Sequence, residues 1–143
     1  MRTAVLGATG FVGRALVPAL AQRGEVVAVS RRANAPELPG VRSIAADLTD
    51  GESTRGALDG VDVAYHLVHS LGARNFSELD RRAAENVATE AERAGVAQIV
   101  YLSGLGDDAD DLSAHLRSRT ETGAVLSSGA IPVTTLRAAA WAP

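Results

Sequence analysis

The chain begins with a short apolar run, Thr3–Leu6, which leads directly into Gly7-Ala8-Thr9-Gly10-Phe11-Val12-Gly13. The three glycines are three residues apart, and a helical stretch follows them. In this pattern the first glycine permits a sharp turn, the second lets the backbone approach a pyrophosphate, and the third lets the helix pack on the strand. The N–H groups at the helix start also favour phosphate. We therefore predict a dinucleotide site here; a tight turn without a ligand is the alternative.

Short apolar runs alternate with longer helical stretches along the chain, which is typical of βαβ units. We predict strands at Thr3–Leu6, Glu25–Val29, Val41–Ala45, Val61–Val68, Gln98–Leu102 and Val133–Leu136. We predict helices at Phe11–Arg23, Glu52–Leu58, Ser77–Ala94 and Leu112–Ser127. Because the strands lack polar alternation, both faces of the sheet should be covered. The predicted fold class is therefore α/β: a doubly wound parallel sheet of about six strands, the Rossmann fold.

The composition excludes several classes of protein. The net charge of −3 does not favour a nucleic-acid partner, which would normally need a basic surface. No apolar run approaches the roughly 18 residues that a membrane span requires. The absence of cysteine excludes disulfides and thiolate metal sites, and we expect a cytoplasmic location. We expect no metal site, because His66 and His69 would point to opposite faces of one strand.

The end of the second predicted strand bears on which dinucleotide binds. An NAD site places Asp or Glu there, to accept a hydrogen bond from the ribose 2′-OH. This chain has Ser30-Arg31-Arg32 instead. Guanidinium groups cannot accept that bond, but they bind a 2′-phosphate well. The sequence therefore favours NADP(H) over NAD(H); a solvated basic loop is the alternative.

Several further segments resemble one superfamily. They are the turn Gly7–Gly13, the pair Asp47-Leu48, the run Tyr65-His66-Leu67-Val68-His69, Ser103 after the fifth strand, and Val133–Arg137. Together they resemble the extended and atypical short-chain dehydrogenase/reductases, and most of all the NmrA-like NAD(P)H-binding proteins. Tyr101–Gly106 and His115–Arg119 look like a poorly characterised bacterial branch of that group.

The resemblance implies roles for the residues around the turn. Asp47 would hydrogen-bond the adenine amino group, and Leu48 would pack on the adenine ring. From the residues alone, Asp47 is equally well a turn or N-cap residue. Leu67, Val68 and His69 would line the cofactor cleft. The predicted cofactor-binding residues are thus Gly7, Ala8, Thr9, Gly10, Phe11, Val12, Gly13, Arg31, Arg32, Asp47, Leu48, Leu67, Val68 and His69.

The catalytic pattern of the superfamily is incomplete in this chain. The resemblance implies a Tyr-x-x-x-Lys pair with a Ser or Thr, but the chain contains no lysine. His115-x-x-x-Arg119 stands in the expected place, with both side chains on one helix face. Ser103, His115 and Arg119 are therefore the candidate catalytic residues. A polar surface or a cofactor clamp is the alternative role of the pair.

Three functions are compatible with the sequence. The first is an NAD(P)-dependent oxidoreductase or epimerase-like enzyme acting on an unknown small molecule. The second is a non-catalytic NADP(H)-sensing module, and the third is a truncated inactive product. Because the chain stops soon after the sixth strand, we expect one NAD(P)-binding domain over residues 1–143, C-terminally truncated relative to its family and without a substrate lobe. The flank around Val133, Thr135 and Leu136 would be uncovered, which favours a homodimer or a protein partner.

Overall fold

The computed structural model describes residues 1–70, 72–104 and 114–138, which form six strands and four helices. The strands are β1 (Arg2–Leu6), β2 (Glu25–Ser30), β3 (Val41–Ala45), β4 (Val63–His66), β5 (Gln98–Gly104) and β6 (Val133–Ala138). The helices are α1 (Phe11–Ala21), α2 (Gly51–Thr54), α3 (Phe76–Ala94) and α4 (Ala114–Ser127). The predicted α/β class and parallel sheet are confirmed.

The strand order is β3-β2-β1-β4-β5-β6, and every neighbouring pair is parallel. The chain therefore builds outward from β1 to β3, then crosses back and continues from β4 on the other side of β1. Ligands of open α/β sheets bind where the strand order reverses in this way, outside the carboxyl ends of the strands. Here that place lies between the ends of β1 and β4.

Two predicted elements are markedly shorter than expected. The fourth strand was expected over Val61–Val68, but β4 covers Val63–His66, because the Val61 N–H closes a turn onto Leu58. The second helix was expected over Glu52–Leu58, but α2 ends at Thr54, because Arg55 has an extended ψ of 128°. The backbone then turns at Gly56, whose φ of +88° favours glycine.

The other helices agree more closely with the sequence pattern. The first, expected to reach Arg23, ends at Ala21, and the third begins one residue earlier than predicted. The start of the fourth predicted helix, at Leu112, lies outside the described residues.

The sheet separates two apolar clusters. On one face, α1 contributes Val17 to a cluster with Val5, Val26 and Ala28. On the other face, a larger cluster joins the sheet to α3 and α4; its fully buried members include Ala4, Leu6, Ala84, Val87, Ala91, Ile99, Tyr101 and Leu126. Both faces are covered, as the continuous apolar strands predict.

One side chain of β4 is polar and completely buried. His66 is 0% exposed, and neither ring nitrogen has a hydrogen-bond partner among the described residues. Its ring centroid lies 5.7 Å from that of Tyr101. Burial, and to a smaller extent the charge of His69, lower the pKa of His66 from 6.5 to about 3. The imidazole is therefore a neutral core group.

This burial predicts a loss of stability in acid. Below pH 6.5 the unfolded chain protonates His66, whereas the folded chain does not until about pH 3. The free energy of unfolding should therefore fall as pH drops through this window. A His66→Leu variant, which cannot titrate at this position, should show a shallower fall in urea denaturation from pH 6.5 to about pH 4. Equal pH dependence in the two proteins would contradict the assignment.

Candidate functional site

The turn after β1 brings α1 very close to the backbone of the sheet. A Cβ on Gly13 would lie 2.2 Å from the Gly7 carbonyl oxygen and 2.8 Å from Ala8 backbone atoms. Gly7 has a φ of +95° and faces the Leu67 backbone and the Val68 side chain. Glycine at both positions is thus required by the packing of the protein itself.

Gly10 is different from the other two glycines. Its φ of −75° is open to any residue, and a Cβ there would meet, among the described residues, only the Gly7 carbonyl oxygen, at 3.4 Å. It is also the N-cap of α1, where no side chain caps the helix and no acidic residue lies in the first turn. A side chain at Gly10 would project outward, over the positive end of the α1 dipole.

A large cavity of about 660 Å³ opens at the carboxyl ends of β1 to β4. Its lining includes most of the predicted cofactor residues: Gly7, Thr9, Gly10, Arg31, Asp47, Leu48, Leu67, Val68 and His69. Arg32 is exposed and does not line it, and Ala8 is buried beneath the turn. Arg31 and Asp47, which follow the neighbouring strands β2 and β3, therefore line one cavity.

Asp47 has a structural role in addition to its place in the cavity. Its Oδ1 accepts hydrogen bonds from the Thr49 N–H at 3.0 Å and the Thr49 hydroxyl at 2.7 Å. This is the turn role that the residues alone left open. The N-cap of α2 is Asp50, which accepts from the Glu52 N–H. Asp47 Oδ2 forms none of these bonds, so the carboxylate keeps an acceptor for a ligand.

A small cavity of about 290 Å³ lies on the other side of the glycine turn. Four residues line both cavities, namely Gly7, Gly10, Leu67 and His69. The small cavity adds Phe11, Val12, Gly13, Leu102, Ser103 and Arg119. The two cavities therefore meet at the turn, and an elongated ligand that crossed Gly10 would reach into both.

The three candidate catalytic residues do not lie together. Ser103 and Arg119 line the small cavity, whereas His115 is exposed and stacks on Phe76 of α3, with ring centroids 4.2 Å apart. The imidazole in the small cavity is that of His69. One helical turn separates His115 from Arg119, and of these two residues α4 presents only Arg119 to the cavity.

Burial favours the neutral forms of His69, which lines the small cavity, and of Tyr101 beside it. Burial lowers the pKa of His69, and the charge of Arg119 lowers it further, whereas Asp80 and a hydrogen bond to the Leu102 backbone raise it. Burial raises the pKa of Tyr101 to about 12, and its hydroxyl donates to the Arg119 carbonyl oxygen at 3.1 Å. The Tyr101 hydroxyl is thus hydrogen-bonded to the backbone of α4.

One residue next to this cavity was not predicted from the sequence. Asp80 of α3 is only 3% exposed, and its carboxylate accepts from the Ser70 N–H at 2.8 Å and the Ser118 hydroxyl at 3.2 Å. The signal was present, because Asp80 lies four residues before Ala84 on the apolar stripe of α3. A carboxylate in that stripe is rarely buried without partners.

The sequence matches a family model over residues 7–138, and that family is described as NAD(P)H-binding. The chain belongs to this family. The match includes the glycine turn, the linings of both cavities and all strands after β1. It confirms the resemblance drawn from the sequence, and it identifies a nicotinamide dinucleotide as the ligand of the fold.

Two curated relatives are similar to the chain over part of their length. The chain is 37% identical over 115 residues to sterol demethylase protein B of Methylococcus capsulatus, covering 74% of this chain and 35% of that protein. It is 32% identical over 109 residues to 2-alkyl-3-oxoalkanoate reductase of Stenotrophomonas maltophilia, covering 72% and 33%. The chain thus spans about a third of the length of these relatives.

Solved structures share the fold at lower identity. The enzyme WbmG of Bordetella bronchiseptica, in complex with NAD and UDP, superposes with a TM-score of 0.82 at 21% identity, over 96% of this chain and 52% of that one. A nucleoside-diphosphate-sugar epimerase of Staphylococcus aureus gives 0.81 at 20% identity, over 96% and 50%. At this identity the likeness establishes the fold alone.

Residues 1–70, 72–104 and 114–138 contain neither a metal-binding cluster nor a membrane-spanning helix. No three side chains of the His, Asp or Glu type gather there in a way that would hold a metal ion. None of the helices in these ranges has the length and apolar character needed to cross a bilayer.

The contrast between two glycines gives a test of the site. Gly10→Val should fold, because its side chain has room within the protein, but should weaken dinucleotide binding at least about 100-fold, because it blocks the path of the pyrophosphate. Calorimetry with NADPH and thermal unfolding measure the two effects. Gly13→Ala is the contrasting variant: its Cβ meets the backbone of the turn, so it should lower the thermal stability as well as the affinity, whereas Gly10→Val should lower the affinity alone. If Gly10→Val bound NADPH normally, the glycine turn would have a structural role only and would not be part of the binding site.

Proposed function

We propose that residues 1–143 form the dinucleotide-binding domain of an NADP(H)-dependent oxidoreductase. The observation that carries the preference for NADP(H) is the position of Arg31. It follows β2, lines the large cavity and stands where an NAD site has a carboxylate. A guanidinium there would bind a 2′-phosphate with charge-assisted hydrogen bonds.

The arrangement of the cavities supports one orientation of the cofactor. The adenine half would occupy the large cavity, between Arg31 and the Asp47-Leu48 pair. The pyrophosphate would cross the turn at Gly10, above the uncapped start of α1. The nicotinamide half would then enter the small cavity, toward Ser103 and Arg119. The outward-facing position of Gly10, which a Cβ would fill, fits this path.

The small cavity carries groups suited to a carbonyl or alcohol substrate. A bound nicotinamide supplies hydride transfer. The Ser103 hydroxyl would donate a hydrogen bond to the substrate oxygen. In alcohol oxidation the neutral His69 imidazole would accept the hydroxyl proton while the nicotinamide takes the hydride, and in carbonyl reduction the imidazolium would return that proton to the oxygen. Arg119 would stabilise negative charge on that oxygen or hold a ribose hydroxyl. The names of the relatives, an oxoalkanoate reductase and a sterol demethylase protein, suggest an apolar substrate with such a group.

A non-catalytic NADP(H)-binding module is the second candidate. It is favoured by Tyr101, whose hydroxyl is bound to the Arg119 carbonyl and whose pKa is raised to about 12 by burial, so that it is unsuited to proton transfer near neutral pH. Oxidation of NADPH in the presence of a panel of ketones and aldehydes separates this function from the first.

The cofactor preference has a direct test. NADPH should bind at least about tenfold more tightly than NADH, a difference of about 1.4 kcal/mol. Arg31→Gln should remove most of this preference by lowering the affinity for NADPH alone. Arg32→Gln is the matched control, because Arg32 is exposed like Arg31 but does not line the cavity. Calorimetric titration gives the ratio of NADPH to NADH affinity for the wild type and for each variant. Tighter binding of NADH by the wild type would overturn the assignment.

We also propose that the flank of β6 associates with a second copy of the chain. On one side β6 pairs with β5, and no strand of the described residues pairs with its other side. Leu136 on this strand is 52% exposed. An open edge with an exposed apolar side chain favours strand pairing between molecules.

This proposal predicts concentration-dependent self-association. Light scattering should detect dimers of the 143-residue chain, and Leu136→Lys should reduce their fraction, because a charge at a strand edge opposes pairing. A stable monomer at high concentration that binds no hydrophobic dye would contradict the proposal.

A further inference from the structure

Asp80 joins two segments that are far apart in sequence. Its carboxylate accepts one hydrogen bond from the N–H of Ser70, in the segment after β4, and one from the hydroxyl of Ser118, on α4. Ser70 directly follows His69, and Ser118 directly precedes Arg119. A single buried group of α3 is therefore bonded next to two polar residues that line the small cavity from different segments.

The surrounding contacts restrict the movement of the two segments that Asp80 joins. A buried carboxylate is costly unless its oxygens are bonded, so the two bonds fix Asp80 against both segments. Arg119 is also held at its backbone, where the carbonyl oxygen accepts from the Tyr101 hydroxyl. The Nε of Arg119 and the Nδ1 of His69 are buried without partners among the described residues. Apart from the hydrogen bond of His69 to the Leu102 backbone, their separation therefore depends on the segments that carry them.

The charges of Arg119 and Asp80 also affect the pKa values of the neighbouring His69 and Tyr101. Burial has the largest effect on the pKa of both His69 and Tyr101. Beyond burial, Arg119 lowers and Asp80 raises both pKa values, and in each case the effect of Arg119 is the larger of the two. Asp80 therefore offsets part of the positive field of Arg119 without lining the cavity itself.

We propose that Asp80 is a positioning residue: by bonding Ser70 and Ser118 it sets the separation of His69 and Arg119, and so shapes the small cavity for the nicotinamide half of the cofactor. This inference rests on the proposed function, because it takes the ligand to be NADP(H). The inference predicts that loss of the Asp80 carboxylate weakens binding of the nicotinamide half of the cofactor and leaves binding of the adenine half unchanged.

The same helix supplies a matched control in Glu90. Glu90 is 4% exposed and accepts hydrogen bonds from the N–H groups of Gly56 and Leu58 and from Arg93. None of these partners lines either cavity. Glu90 thus matches Asp80 in burial, helix and bonding to a loop, and differs in the segment that it holds.

The experiment compares a whole ligand with half of it. Calorimetry measures the affinities for NADPH and for adenosine 2′,5′-bisphosphate, which contains only the adenine half with its 2′-phosphate. Asp80→Asn keeps the shape of the side chain but loses its charge and one acceptor oxygen. We expect it to weaken NADPH binding about tenfold and to leave the bisphosphate within about twofold. Glu90→Gln should leave the ratio of the two affinities unchanged, whatever its effect on stability.

Ser118→Ala covers the case in which Asp80→Asn fails to fold. It removes only the bond to α4, and we expect a smaller loss in the same direction, for NADPH alone. A ratio that is unchanged in Ser118→Ala and in any folded Asp80→Asn overturns the inference, as does equal weakening of both ligands. A wild-type chain that binds neither ligand overturns the proposed function, and the inference with it.

Discussion

The close contact between α1 and the turn after β1 is the constraint on which the rest of the structure depends. A Cβ on Gly13 would come within 2.2 Å of the Gly7 carbonyl oxygen, so the helix can rest there only with glycine at that position. The contact directs the start of α1 toward the gap between β1 and β4, where the strand order reverses. The positive end of the helix dipole and both cavities consequently meet at one place.

The absence of lysine changes the chemistry that this place can carry. In the small cavity the cation is Arg119, whose guanidinium stays charged and donates from a rigid planar group, unlike an ammonium. Tyr101 lies in the core, with its hydroxyl bound to α4 and its pKa raised by burial. An imidazole, that of His69, also lines the small cavity, and burial and the charge of Arg119 lower its pKa and so favour the neutral form.

Helix α3 holds the segments on either side of β4 through buried carboxylates. Asp80 accepts the Ser70 N–H in the segment after β4, and Glu90 accepts the Gly56 and Leu58 N–H groups in the segment before it. Each bond satisfies a backbone donor that would otherwise be left unpaired, and charged acceptors make such bonds strong. The fold thus uses polar groups on an apolar stripe to place the segments on either side of β4.

The sequence by itself determined the parallel sheet, its six strands and the glycine turn, because strand apolarity, helix periodicity and glycine spacing are local properties. Arg31 was predicted to bind the cofactor from its place after the second strand and Asp47 from the family resemblance, and both line one cavity. Only the tertiary structure decided that His115 stacks on Phe76 while Ser103 and Arg119 face the small cavity with His69. Only it paired Asp80 with Ser70 and Ser118. These outcomes depend on how far α3 and α4 are rotated against the sheet, and that rotation is set by the packing of residues distant in sequence.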